Sequence, residues 1–296
     1  MATDELVKAT PLLSRARRLT SGRRRTPVLP CVIIACIVVT AVLADLLTSY
    51  SPTDIALSNR LHPPFWEKGG SLAHPLGTDP MGRDLLTRMI FGARVSLMVA
   101  ILSLLVGGGI GAILGLIAGY YGGRLDAFVM RVVDTTMAFP IILFAILLVV
   151  ALGGSLVTTV IAVSLVLWAR YARVIRGEVL SLRERDFIAQ ARIAGCSAWR
   201  IITRHLFPNT LNTLVVLLTL QVGYVIIVEA SLSFLGAGIP PPTPAWGSMI
   251  AEGRDFITSA WWVSFFPGLA ILLVVLAFNL LGDWLRDTLD PKLREL

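Results

Sequence analysis

Six long apolar runs decide most of what this 296-residue chain can become: residues 28–47, 97–118, 132–152, 155–171, 211–232 and 260–281. A helix rises about 1.5 Å per residue, so roughly 20 mostly apolar residues cross the ~30 Å hydrocarbon core of a bilayer. Backbone polar groups have no water to bond there, which makes the helix the natural conformation for each run. Charged residues are only 15% of the chain, against about 25% in a soluble domain. The missing charge means that much of the surface faces lipid. The expected fold class is all-α, a polytopic membrane protein with six transmembrane helices.

The basic residues set the expected orientation, because lysine and arginine are retained on the cytosolic side. With the N-terminus inside, 20 of the 26 fall in the tail, around 124–131, in 170–204 and at the C-terminus; Arg60, Lys68, Arg83, Arg88, Arg94 and Arg254 fall outside. The expected organisation is a cytosolic tail over 1–27 and one transmembrane domain over 28–296. Its long connections are an outer loop at 50–94, a cytosolic loop at 172–210 and an outer loop at 233–259. The first apolar run is too long for a signal peptide and lacks a small-residue cleavage site. The net charge of +7 indicates no nucleic acid, since the basic residues fill the gaps between apolar runs instead of forming a stripe on a soluble fold.

Signs of catalysis are missing. The three lysines, Lys8, Lys68 and Lys292, stand in no GxxxxGK[ST] context, so no phosphate loop is present. His62, His74 and His205 are scattered, and no Cys/His set has zinc spacing. Cys31 and Cys36 share one run but point in different directions, and Cys196 lies in a basic loop, so no disulfide is implied. Asp45, Asp134 and Glu229 fall near the ends of their runs, where water or headgroups are expected to reach them, and no basic residue falls near a helix midpoint. A transporter driven by protons normally needs such a deep group, so the energy is expected to come from elsewhere. Glu229 and Gln221 are the candidates for residues lining a pathway. Gly107, Gly111, Gly115 and Gly119 form a small-residue stripe for close helix packing, whose partner helix is left open.

The cytosolic segment ARYARVIRGEVLSLRERDFIAQARIAGCSAWRIITRHLFPN (169–209) is basic and helix-permissive, with small residues suited to entering a cleft on another protein. It resembles the EAA loop of ABC importer permeases. Ala189-Gln190-Ala191 occupies the EAA place, Gly195 follows after three residues, and His205-Leu206-Phe207-Pro208 follows nine residues later. The spacing is kept, although Ala189 stands where the family has glutamate. The candidate coupling residues are Ala189, Gln190, Ala191, Arg192, Gly195, Cys196, Trp199 and Pro208, with a docking helix expected over 190–198. The stretches at 74–97 (HPLGTDPMGRDLLTRMIFGARVSL), 230–254 and 279–294 resemble the C-type subunit of the dipeptide/oligopeptide/nickel class.

That resemblance implies the type I ABC importer architecture and a division of labour. A second homologous permease would complete the pathway, two cytosolic ATPases would bind ATP and Mg, and an extracytoplasmic binding protein would deliver substrate. This chain would sit in the inner membrane with both termini cytosolic, bind no cofactor and contact lipid. Peptide is the expected substrate, with nickel or another small solute as the alternative in the same class. A stand-alone secondary transporter and a membrane scaffold that only recruits soluble proteins are the readings from other classes.

Overall fold

The computed structural model describes residues 26–289. The expected tail lies outside them except for Thr26 and Pro27, as do Lys292 and Arg294. The helices are α1 (Val28–Val42), α2 (Ala44–Leu47), α3 (Leu85–Tyr121), α4 (Gly123–Ala138), α5 (Ile141–Leu152), α6 (Leu156–Leu182), α7 (Asp186–Ile193), α8 (Ala198–Ile201), α9 (Phe207–Phe234), α10 (Trp246–Gly253) and α11 (Trp262–Leu289). Among the described residues there is no strand, only an isolated bridge between Thr78 and Asp84.

Four helical stretches are long and apolar enough to cross a membrane: α3, α6, the run Ala198–Phe234 and α11. The bent pair α4–α5 makes a fifth if counted as one crossing. The remaining expected span, at 28–47, is built as α1, 15 residues long, followed by the short α2. Arg94 explains the break. Its guanidinium takes the carbonyls of Ala41 and Val42 and pairs with Asp45, drawing off acceptors that a continuous helix would use.

The run at 132–152 is likewise not one straight helix, since α4 and α5 meet at 92°. Pro140 is the cause. Its ring excludes the helical conformation for the preceding residue, and Phe139 is extended (φ −82°, ψ 139°). Other boundaries follow from local chemistry. The Asp84 side chain caps α3 by accepting from the Thr87 amide at 2.8 Å, and Ser155 caps α6 by accepting from the Thr158 amide at 3.1 Å. Beyond the expected end at Tyr171, α6 continues to Leu182.

The glycine stripe finds its partner in α6 of the same chain. A Cβ on Gly111 would lie 2.3 Å from the Trp168 carbonyl oxygen, and one on Gly115 would lie 2.6 Å from that of Ala172. Ser103 and Ser164 then bond across the two helices, each to the other helix's backbone. Small residues let backbones meet where lipid supplies no hydrophobic drive. Gly111→Leu is therefore expected to cost about 3 kcal/mol or more through overpacking against backbone. Gly109→Leu, in the same helix with nothing within 4 Å of its Cβ position, is expected to be neutral. Thermal unfolding of the purified chain in detergent compares the two; equal midpoints would remove the packing role. Around this pair, α9 packs on α3 and α11, and α1 lies against α3 and α11.

At the end of the bundle formed by residues 50–94 and α10, loops are tied by buried polar groups. Asp79 accepts from Arg83 and Arg88, and Glu252 accepts from the same two arginines at 2.7 and 2.6 Å. The indoles of Trp246 and Trp262 donate to the carbonyls of Met89 and Thr78. Gly82 sits at φ +75°, and a Cβ there would lie 1.8 Å from the Ala56 carbonyl oxygen, so no other residue fits.

Candidate functional site: the helical loop at 183–208

The loop is anchored before it begins to turn. Arg183 donates to the Gly119 carbonyl at the end of α3 and to Glu184. From there α7 turns Ile188 and Ala191 inward, three residues apart and so on one helical face. They join Ala112, Leu116, Ile175, Val179, Ile201, Ile202 and Leu206 in a single buried cluster. The loop is thus a packed subdomain on the ends of α3 and α6.

The helix expected over 190–198 is displaced. It is built as Asp186–Ile193 and stops because Gly195 adopts φ +74°. The Cys196 amide donates to the Ala191 carbonyl and the Gly195 amide to that of Arg192, both at 3.0 Å, which is the Schellman closure of a helix C-terminus. Ser197 then accepts from the Arg200 amide and starts α8. Between α8 and α9 the backbone makes a π turn, Ile202–Leu206. Pro208 follows in the first turn of α9; lacking an N–H, it leaves the Arg204 carbonyl without its usual helical donor.

The candidate residues divide between two faces. Ala191 is buried and Cys196 half-buried; Ala189, Gln190, Arg192, Gly195, Trp199 and Pro208 are exposed. Arg192 stacks over the Tyr120 ring at 5.7 Å. Trp199 is 74% exposed and Ile193 is 87% exposed. Nothing lies within 4 Å of where a Gly195 Cβ would be. The loop thus exposes the small residues Ala189, Ala194 and Gly195 together with two outward apolar side chains. Ile193 was missed in the sequence, although its spacing from Ile188 and Ala191 carries it off the buried face.

Glu229 corrects the sequence reading. It is near the end of α9 but fully buried, where it accepts from the hydroxyls of Ser96 at 3.2 Å and Ser233 at 2.8 Å. The chain returns over this part of α9 as α10, with Gly247 against Ala230, and shuts out the water expected there. By contrast, Asp45 and Asp134 are exposed and paired with Arg94 and Arg173. Gln221 is buried, and with its amide oxygen turned toward Arg170 it accepts from Nη1 at 3.1 Å and Nε at 3.2 Å. Because α6 runs on to Leu182, Arg170 stands near its midpoint, where no basic residue was expected. The structure does not bring Glu229 and Gln221 to one cavity.

Long apolar helices that end in a packed loop define a multi-pass membrane protein. Residues 111–295 match the family described as binding-protein-dependent transport system inner membrane component. The chain belongs to that family. It is 45% identical over 273 residues to the dipeptide transport system permease protein of Escherichia coli strain K12, covering 92% of this chain and 91% of that one. The dipeptide transport system permease protein of Alkalihalophilus pseudofirmus is 43% identical over 98% of this chain and 93% of its own. The glutathione transport system permease protein of Pectobacterium atrosepticum is 47% identical over 77% of this chain and 75% of its own. Among solved structures, a chain of the inward-facing MetNI methionine ABC transporter matches with a TM-score of 0.56 at 19% identity, covering 70% of this chain and 96% of that one. That likeness carries the fold.

Proposed function

We propose that this chain is one of two permease subunits of an ATP-driven importer of short peptides. The loop at 183–208 engages a cytosolic ATPase, and both chain termini lie on the same side as the loop. The observation that carries this reading is the outward patch of Ile193 and Trp199 around Gly195, uncovered by this chain, in a family of binding-protein-dependent transporters. Peptide is favoured because relatives similar along nearly the whole chain are named for dipeptide transport. A binding protein would deliver substrate at the 50–94 and α10 end, where Pro240, Pro241 and Pro242 stand exposed. ATP can drive the helices only if the loop makes different contacts with the ATP-bound and ATP-free partner.

Reconstitution tests this directly. The purified chain alone in liposomes is expected to show background ATPase activity and no uptake. With its partner permease, ATPases and binding protein, labelled dipeptide should enter only with ATP and be indifferent to a protonophore. ATP hydrolysis by the chain alone, or uptake abolished by the protonophore with ATP supplied, would overturn the proposal.

A further inference from the structure

Four arginines punctuate α6 and its cap, and three are accounted for. Arg173 pairs with Asp134 and Arg176 with Asp126, both on α4, and Arg183 holds Glu184 and the Gly119 carbonyl. Arg170 alone of the four has no carboxylate among the described residues; its hydrogen-bonding partner is the neutral amide of Gln221. Both Nη2 hydrogens are left unoccupied by that contact. A cation on a membrane-crossing helix without a counter-charge is costly, and such groups face a polar cavity or a ligand.

Arg170 faces a cavity. A hollow of about 250 Å³ lies in the elbow between α4 and α5, lined by Thr136, Phe139, Ile141, Phe144, Arg170 and Tyr224 among others. It adjoins a second hollow of about 260 Å³, which shares Thr136, Phe139 and Phe144 and adds Arg131, also without a carboxylate partner among the described residues. The α5 N-terminus opens on the first hollow, where Ile141 lies on the wall and no side chain caps the helix. Its free amides and helix dipole add positive potential to that of Arg170. The rest of the lining is mostly apolar and Arg170 is itself exposed, so a carboxylate entering the hollow would reach its guanidinium.

We propose that this cavity is a subsite for the free C-terminal carboxylate of the transported peptide. Arg170 is its anion-binding residue, Gln221 positions the guanidinium, and Phe139, Phe144 and Tyr224 contact the adjoining peptide body. The guanidinium suits this role because it stays protonated and offers paired N–H groups to one carboxylate. The inference rests on the peptide reading above, so the experiment separates the two.

The complete transporter is prepared with Thr136→Cys as a reporter on the cavity wall, and the same transporter without the reporter supplies the background from its other cysteines. Uptake of labelled dialanine by the unaltered transporter comes first; no ATP-driven uptake there counts against the peptide reading itself. The alkylation rate of the reporter is then measured with dialanine, with dialanine amide and without peptide, in vesicles of phosphatidylcholine with and without phosphatidylglycerol. Dialanine is expected to slow alkylation half-maximally at a concentration about tenfold lower than dialanine amide requires, the worth of one charge-assisted contact. Arg170→Gln should abolish the difference between acid and amide, and Arg170→Lys should keep part of it; gel filtration confirms that both complexes are intact. Equal protection by acid and amide, or discrimination unaltered in Arg170→Gln, would overturn the subsite. Protection by phosphatidylglycerol without peptide would assign the cavity to a lipid headgroup and equally overturn it.

Discussion

Arg88→Met is expected to destabilise the protein by about 3–5 kcal/mol, the usual cost of removing one partner from a buried ion pair. Arg88 is 1% exposed and Asp79 is fully buried. Together with Arg83 and Glu252 they form a set of two positive and two negative charges, closed on itself by contacts of 2.5 to 3.1 Å. Removing one guanidinium leaves two carboxylates, Asp79 and Glu252, sharing the single charge of Arg83, with Asp79 fully buried. The set also joins chain segments 164 residues apart, Arg88 at the start of α3 and Glu252 in α10, so its failure should loosen the connections at 50–94 and 233–259 together. Adding Glu252→Gln to Arg88→Met restores neutrality. The double variant is expected to cost less than the two single changes summed, by about 1 kcal/mol or more. Thermal unfolding in detergent, with limited proteolysis of the 50–94 segment, reads both effects. A loss of only about 0.5 kcal/mol in Arg88→Met, the size of an ordinary surface change, would show the network to be incidental.

Whatever depends on local periodicity or on one residue's backbone limits was legible in the sequence. The apolar runs gave α3, α6, α9 and α11, and the four-residue glycine spacing gave the close helix contact; Gly195, expected within a helix, instead makes the turn that ends α7. The 92° elbow was open to reading too, since Pro140 interrupts its run and forces Phe139 out of helix. The apolar character of 132–152 concealed this, because hydropathy carries no directional information. Contacts between distant segments could not be read. Nothing local to Glu229 shows that α10 will return to cover it, or that Ser96, 133 residues away, will donate to it. The same holds for Arg170, whose place in mid-helix depends on α6 continuing into a segment that looks like a polar loop. In the candidate coupling loop the residue types and spacing were visible. The division into a buried Ile188–Ala191 face and an outward Ile193–Trp199 face needed the structure, because only packing on α3 and α6 decides which face is inside.

Ile193→Glu is expected to abolish co-purification of the ATPase, with at least about a tenfold loss of affinity, while leaving the thermal stability of this chain unchanged. Ile193 is 87% exposed and is not a member of the buried cluster that holds the loop, so a charge there costs little in the isolated subunit, no more than about 1 kcal/mol against the helix dipole. In a partner's cleft it would strand a carboxylate in an apolar contact, worth a few kcal/mol. Gly195 separates bulk from backbone strain. Its φ of +74° admits asparagine with little penalty, and no atom of this chain lies within 4 Å of a Cβ there. Gly195→Asn should therefore keep the loop and most of the coupling. Gly195→Arg adds about 1–2 kcal/mol of strain and a side chain that only a partner would collide with, so transport should fail while the membrane helices remain folded. Cys196 is half-buried against the cluster, which makes Ile193→Cys, with the native cysteines removed, the better reporter of access. A membrane-impermeant thiol reagent should label it rapidly from the cytosolic face of vesicles lacking the ATPase, and about tenfold more slowly once the ATPase is bound. Labelling from the opposite face would reverse the proposed topology. An unchanged rate with the ATPase bound would place the docking surface elsewhere on the chain.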